Sequence, residues 1–439
     1  MRYPEAIGWL YALAPRGMRY ELDRMEAVVA LRGHPERRVP AVHVAGTNGK
    51  GSVTTLVAAA LRAGGLRTGL FTSPHLHRFP ERIQVAGRPV GEAEVARRLT
   101  EIRRFLETPG TPPLSFFEVA TLLAFEIFAA REVDVAVYEV GLGGRLDATN
   151  VLVPEVTGIT RIALDHMRIL GPDIPSIARE KAGIGKPGVP LVCGVRDPLA
   201  VEAIAGRARE LGVPDPWWID RDFQGLASAS ATGRSRPRVD LRVRRRVLRE
   251  VPLRLAGAHQ RDNAATAAAL VTALGRRRRR LRVDDEAIRR GFARARWPGR
   301  LERLPGRPPV LLDAAHNHDG SAALAAHLRD GPGRRGVRGR VVLVFGVLED
   351  KQGDEMAESL LPAVDAVVWV TPPVDRGRPA GDLAALFGGR VAKSVPEALS
   401  LARRRAGPEG LVVVAGSLFL VAAARARLLR LPAEPAVRG

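Results

Sequence analysis

Short apolar runs alternate with stretches of helical period along most of the chain. Val42-His43-Val44-Ala45 predicts a strand and Ser52 to Ala63 the helix after it, followed by a second strand over Thr68-Gly69-Leu70-Phe71. Val95, Leu99, Ile102 and Leu106 recur at helical spacing, and Phe116 to Ala130 is an apolar-faced helix. Val133 to Tyr138, Val156 to Ile159 and Val189 to Cys193 read as buried strands. Strands separated by helices of this length argue for a parallel, doubly wound sheet. Residues 239–255 alternate around an Arg-rich centre and predict exposed antiparallel strands appended to that sheet, before a helix from Gln260 to Leu274. After the turn signal Trp297-Pro298-Gly299 the alternation restarts, with strands near Val310 and over Val341–Phe345, Ala366–Val370 and Leu411–Val414.

The strongest chemical signal lies between the first strand and its helix: Gly46-Thr47-Asn48-Gly49-Lys50-Gly51-Ser52. Glycines let backbone amides approach phosphate oxygens, the helix N-terminus favours an anion, and Lys50 supplies a compact positive charge. The strict P-loop pattern is not met, since Val44 stands at the first glycine and Gly51 where Ser or Thr would follow the lysine. The chain thus reads as α/β: an N-terminal P-loop ATPase-like doubly wound domain over residues 1–296 and a smaller C-terminal Rossmann-like α/β domain over 297–439.

Three further residues fall on the edge where ligands sit in open α/β sheets. Glu139 closes a predicted strand, Ser73 lies just beyond Phe71, and His166 follows the strand ending at Ile159. With Lys50 they are expected on one rim. Lys181 ends a short helix that Asp173 can cap and Gly183 terminate. As a bare residue, a lysine there is a dipole-stabilising, exposed cation.

Composition narrows the function classes. The 439 residues carry 46% hydrophobic and 26% charged content, ordinary for a globular chain. No apolar stretch is long enough to cross a membrane and no signal-peptide layout opens the chain, so a cytoplasmic protein is expected. The single cysteine, Cys193, excludes an internal disulfide. The net charge of +21 comes from 63 arginines beside only five lysines, with no aromatic interleaving, which fits compositional bias better than nucleic-acid binding. The densest run, Arg276 to Arg280, reads as a solvated connection. Against that background the surviving lysines, Lys50 and Lys181 among them, mark places where a guanidinium cannot serve.

These blocks together resemble the folylpolyglutamate synthase/dihydrofolate synthase family of the Mur-ligase superfamily. The resemblance rests on Val44 to Ser52, Thr72 to Leu76, Glu139 to Asn150 and Glu180 to Ile184. It continues through Gly257 to Gln260 with Asn263, Trp297 to Glu302, Asp313 to Asn317 and Gly416-Ser417, in the family's order over nearly the whole chain. The glycine after Lys50 favours the folate branch over the cell-wall ligases. What the resemblance implies is an ATP-dependent, Mg²⁺-assisted ligase, active as a monomer, that joins L-glutamate to dihydropteroate, to a reduced folate, or to both, through an acyl phosphate. A Mur-type peptidoglycan-precursor ligase and a non-ligating P-loop ATPase module are the alternatives.

By the same resemblance Thr47, Asn48, Gly49, Lys50, Gly51 and Ser52 cradle the phosphates, and Asn263, Arg300 and Asp313 contact ATP. Ser73, Glu139 and His166 hold the metal. Lys50, Lys181 as a carbamate, and His316 as an orienting group serve catalysis. Ser115, Phe116, Phe117, Glu118, Leu146, Asp147 and Ala148 meet the folate, although Phe116 and Phe117 read equally well as helix core. Pro80, Arg161 and Gly185 depart from the family pattern and touch no expected phosphate or metal group.

Overall fold

The computed structural model describes residues 1–14, 21–228, 237–329 and 333–434. Its largest element is an eight-stranded sheet of β1 (Ala41–Ala45), β2 (Thr68–Phe71), β3 (Ile83–Val85), β4 (Arg88–Pro89), β5 (Val135–Glu139), β6 (Val156–Ile159), β7 (Leu191–Cys193) and β8 (Trp217–Trp218). The spatial order is β4-β3-β2-β5-β1-β6-β7-β8, parallel from β2 to β8 with an antiparallel β3–β4 edge. Every residue of β1 and β5 is buried, as strands covered on both faces require.

Helices Lys50–Ala63, Gln260–Arg277 and Asp285–Arg294 cover one face, packing on Val42, Val44, Val135 and Val137. Helices Glu92–Leu106 and Phe116–Ala130 cover the other, on Phe71, Ala136 and Tyr138. Local chemistry starts these helices where the sequence places them. Ser115 and Glu118 form a reciprocal capping box, and Asp173 accepts the Ser176 amide at 2.8 Å to cap Ile174–Ala182.

The expectation for residues 239–255 needs correction. The strands β9 (Phe223–Ala227), β10 (Arg238–Val243) and β11 (Arg246–Pro252) are antiparallel, but they form their own sheet in the order β11-β10-β9. They are not simply exposed either. Val239, Leu241, Val243, Leu248 and Val251 are buried in the same core as the helix Gln260–Arg277. The arginines between them mask a one-sided alternation that puts every second residue inward.

The second α/β unit holds six strands: β12 (Glu302–Leu304), β13 (Val310–Leu312), β14 (Val341–Phe345), β15 (Ala366–Val370), β16 (Arg390–Ala392) and β17 (Leu411–Ala415). Their order is β12-β13-β17-β14-β15-β16, parallel except for the β12–β13 edge. The carboxyl ends of β13 and β14 face those of β1, β5 and β6 across a cleft of about 1020 Å³. Among the described residues no helix is long and apolar enough to cross a membrane.

Candidate functional site

The loop after β1 is held from beneath by the segment after β6. Thr47 and Asn48 amides donate to the Arg161 carbonyl at 2.9 and 3.3 Å, and Thr160 Oγ1 donates to the Asn48 carbonyl at 2.8 Å. Lys50 Nζ lies over the loop, 3.0 Å from the Gly46 carbonyl and 3.2 Å from that of Thr47. Behind the loop Gln260 donates to Ser52 Oγ at 3.2 Å, and Asn263 donates to Gln260 at 3.0 Å. The departure from the strict P-loop at Gly51 has a steric cause. A Cβ there would collide with the indole of Trp297, which lies against the first turn of the helix.

Glu139, Ser73, His166 and Lys181 all reach this cleft, together with Asn263, Arg300, Asp313 and His316. The Ser73 amide donates to Glu139 Oε2 at 3.2 Å. Burial raises the Glu139 carboxyl to about 7, against the pull of Lys50, the Ser73 amide and Arg300. Burial also lowers Lys50. His166 is lowered to about 4 by burial, with Asp165 opposing.

Lys181 is not the exposed helix-end cation that its position suggests. It is 4% exposed, and among the described residues its ammonium forms no ion pair. Burial first, and the Lys50 charge second, lower it to about 7.

The facing edge of the second unit is built around Asp313. Its carboxylate accepts the amides of Leu301 at 2.8 Å and Ala315 at 2.9 Å, and Arg300 donates to the Ala314 carbonyl at 2.7 Å. His316 Nδ1 lies 2.9 Å from that same carbonyl, and its Nε2 is 3.6 Å from Asp165. Such an imidazole is oriented at one nitrogen and points the other across the cleft.

Sequence motifs do not single out Asp165, Lys351 or Asp319, and the structure makes them central. Lys351 Nζ donates to Asp165 at 2.7 Å, and Asn317 donates to it at 3.2 Å. Although burial pushes Asp165 up, the His316 hydrogen bond and charge, with His166 and Lys351, hold it well below the usual carboxylate range. Asn48 exchanges hydrogen bonds of 3.1 Å with Asn317 and donates to Asp319 at 2.8 Å. Arg161, one of the family departures, pairs with Asp319 at 2.5 Å, and, against the expectation that it touches none of the expected phosphate residues, its carbonyl holds the Thr47 and Asn48 amides. No local pattern announces these residues, because each gains its partner only from the opposite wall.

None of the seven expected folate residues lines the cleft directly. Phe117 packs on Phe71 at 6.0 Å between ring centres and beneath Gly141, which does line it. Phe116 meets Tyr11 and Phe79, with the Arg82 guanidinium 5.1 Å above its ring. Ser115 and Glu118 cap their own helix, and Arg24 lies 3.6 Å from Glu118. Asp147 accepts the Leu142 amide at 2.9 Å and the Thr149 amide at 3.0 Å, shaping its own loop with Leu146 and Ala148. Pro80 falls in the first turn of the short helix Phe79–Arg82, where a missing N–H costs nothing. Among the described residues, no group of three or more His, Cys, Asp or Glu is placed to hold a metal on its own.

Comparisons with known proteins agree with this layout. Residues 299–418 match the family described as Mur ligase, glutamate ligase domain. The chain is 33% identical to the dihydrofolate synthase/folylpolyglutamate synthase of Bacillus subtilis, over 97% of this chain and 99% of that one. The Escherichia coli FolC structure in complex with DHPP and ADP superposes with a TM-score of 0.87 at 32% identity, covering 98% of both chains. Mycobacterium tuberculosis folylpolyglutamate synthase, complexed with ADP and AMPPCP, gives 0.87 at 35% identity over 98% of this chain and 100% of that one.

Proposed function

The chain belongs to the dihydrofolate synthase/folylpolyglutamate synthase family, and from that premise we propose how its own residues carry out ATP-dependent glutamate ligation. It is an amide-forming ligase of the Mur-ligase superfamily. Its acceptor is the carboxylate of dihydropteroate, of a reduced folate, or of both. The γ-phosphoryl group of ATP passes to that carboxylate, ADP leaves, and the α-amine of L-glutamate attacks the acyl carbon. The amide forms as phosphate departs and the attacking neutral amine gives up one proton, keeping the other on the amide nitrogen.

The observation that carries this reading is the convergence of Lys50, Glu139 and Lys181 from one sheet, and Arg300, Asp313 and His316 from the other, on a single cleft. Phosphoryl transfer asks the protein mainly for positioning and charge neutralisation. The 46–52 loop cradles phosphates, and Lys50 and Arg300 balance their charge. Asn263 and Asp313 fix the nucleotide's place. His316, tied to the Ala314 carbonyl, orients groups at the junction. The division of the chain at 296/297 makes this a cleft between two domains, so the nucleotide lies where both contribute.

Magnesium fits the residues present. Mg²⁺ is usually held by one or two carboxylates plus phosphate oxygens and water rather than by an all-protein cage, and the buried Glu139 carboxylate near Lys50 suits that. Ser73 and His166 are the other residues that would hold it. When bound it supplies positive charge against the polyphosphate.

Lys181 fits a carbamate. Its amine, lowered to about 7, is substantially neutral near neutral pH. The nitrogen lone pair adds to the carbon of CO₂ and one proton leaves, so the buried cation becomes an anionic oxygen ligand. Arginine cannot follow this route.

The test is an assay of purified protein with ATP, L-glutamate and either dihydropteroate or a reduced monoglutamate folate. ADP release that needs both the pterin acid and glutamate supports the ligase. Release indifferent to both would remove it in favour of a plain ATPase. Product from both acceptors is expected, and product from one alone reduces the claim to a monofunctional enzyme.

A further inference from the structure

A second cavity of about 660 Å³ opens beside the cleft, between the helix Lys50–Ala63 and the β3–β4 hairpin. It is lined by Arg62, Arg67, Arg88 and Arg131, with Glu94 the only acid among its lining residues. Arg131 already takes Glu94 through two hydrogen bonds, of 3.1 and 2.6 Å. Asp134 is engaged by the Arg67 backbone amide at 2.7 Å. Among the described residues the guanidiniums of Arg62, Arg67 and Arg88 have no carboxylate partner.

The cavity and the cleft adjoin. Pro89 lines both, Gly87 lines the cleft and Arg88 the cavity. The Arg62 guanidinium occupies the space beside Gly87 that a Cβ would fill, so it stands at the junction. Gly51 and Thr55 line the cleft while Arg62 lines the cavity, and their spacing of four and seven places them on one helical face. From residue 51 to residue 62 that face runs about 17 Å.

The acceptor reading above poses a problem that this groove answers. The reacting carboxylate, the benzoate of dihydropteroate or the terminal γ-carboxylate of a folate, must always sit beside Lys50, yet each ligation lengthens the acceptor by one residue and one α-carboxylate. A pterin head seated in the cleft for dihydropteroate cannot stay in the same place for a long-chain acceptor. The trailing chain needs another path, and its negative charge grows with length.

We propose that the groove over Gly87 and Pro89 into Arg62, Arg67 and Arg88 binds the trailing oligo-γ-glutamyl chain of elongated acceptors. It rests on the acceptor reading. Arginine forks match successive carboxylates, and the absence of competing acids keeps them available.

The experiment compares wild type with Arg88→Glu, Arg67→Glu and the double variant, using dihydropteroate, tetrahydropteroyl monoglutamate and tetrahydropteroyl tetraglutamate. In the double variant the KM for tetraglutamate is expected to rise about tenfold or more, one charge-assisted contact or better. Its kcat and the KM for dihydropteroate stay within about twofold, and the tetraglutamate effect shrinks as salt screens the charges. An unchanged tetraglutamate KM, or an equal rise for dihydropteroate, overturns the proposal. Wild type that ligates dihydropteroate alone overturns the groove and leaves the ligase. Wild type that ligates none of the three overturns both.

Discussion

Lys351 and Asp165 meet across the cleft, with Nζ 2.7 Å from Oδ1 and both side chains less than a tenth exposed. Asp165 directly precedes His166, and it also receives Asn317 and faces His316. One carboxylate thereby ties the first sheet's side of the cleft to the second sheet.

Removing one member of such a pair leaves a buried charge uncompensated. Lys351→Met is expected to cost about 3 kcal/mol and to lower ligation at least tenfold, because the two walls lose their register. The double variant Lys351→Met with Asp165→Asn should recover most of the stability and little of the activity. Thermal melts and turnover on all three proteins complete a double-mutant cycle. Additive losses in stability would show that the two residues do not couple.

Gly51→Thr restores the residue that a strict P-loop carries, and should nevertheless harm this protein. The added Cβ meets the Trp297 indole. Overpacking of this kind typically costs about 1–3 kcal/mol. Pairing it with Trp297→Ala should relieve the clash, so the double variant melts higher than Gly51→Thr with Trp297 intact by more than the change at Trp297 alone accounts for. Wild-type melting of Gly51→Thr would refute the steric explanation.

Glu139 carries a pH signature. Its folded pKa, about 7, lies above the ordinary carboxylate value of 4.5. Between those values the folded state binds more protons than the unfolded one, so stability falls as pH rises from about 4.5 to about 7. Glu139→Gln should abolish that slope, measured by melting across pH without nucleotide, while removing ligation. A persistent slope in this variant assigns the titration to another group, and wild-type-like turnover removes Glu139 from the mechanism.

Lys181→Arg separates two accounts of a buried lysine. If only a long cation is needed, the arginine variant stays near normal. The carbamate account expects loss of about a hundredfold or more, on the scale of a lost catalytic charge, with partial rescue of Lys181→Ala by a small carboxylic acid. Active Lys181→Arg, together with an unmodified lysine by intact mass, would dispose of the carbamate.

Much of the site was legible because strand ends are legible. Lys50, Ser73, Glu139 and His166 each follow an apolar run, and a parallel sheet gathers such positions on one edge. The β9–β11 sheet was harder, since arginines dominate its outward positions and hide how deeply its inner face is buried.

By itself the sequence determined the alternation of strands and helices, the glycine-rich loop between the first strand and its helix, and which residues stand at strand ends. These depend on neighbours close along the chain, through periodicity, capping and turn chemistry. Only the tertiary structure decided that Trp297 covers Gly51, that Lys181 is buried with no ion pair among the described residues, that Lys351 reaches Asp165, and that Asp319 reaches Asn48 of the 46–52 loop. Those facts depend on contacts between segments far apart in the chain, where burial and charge are set by distant neighbours and leave no local pattern to read.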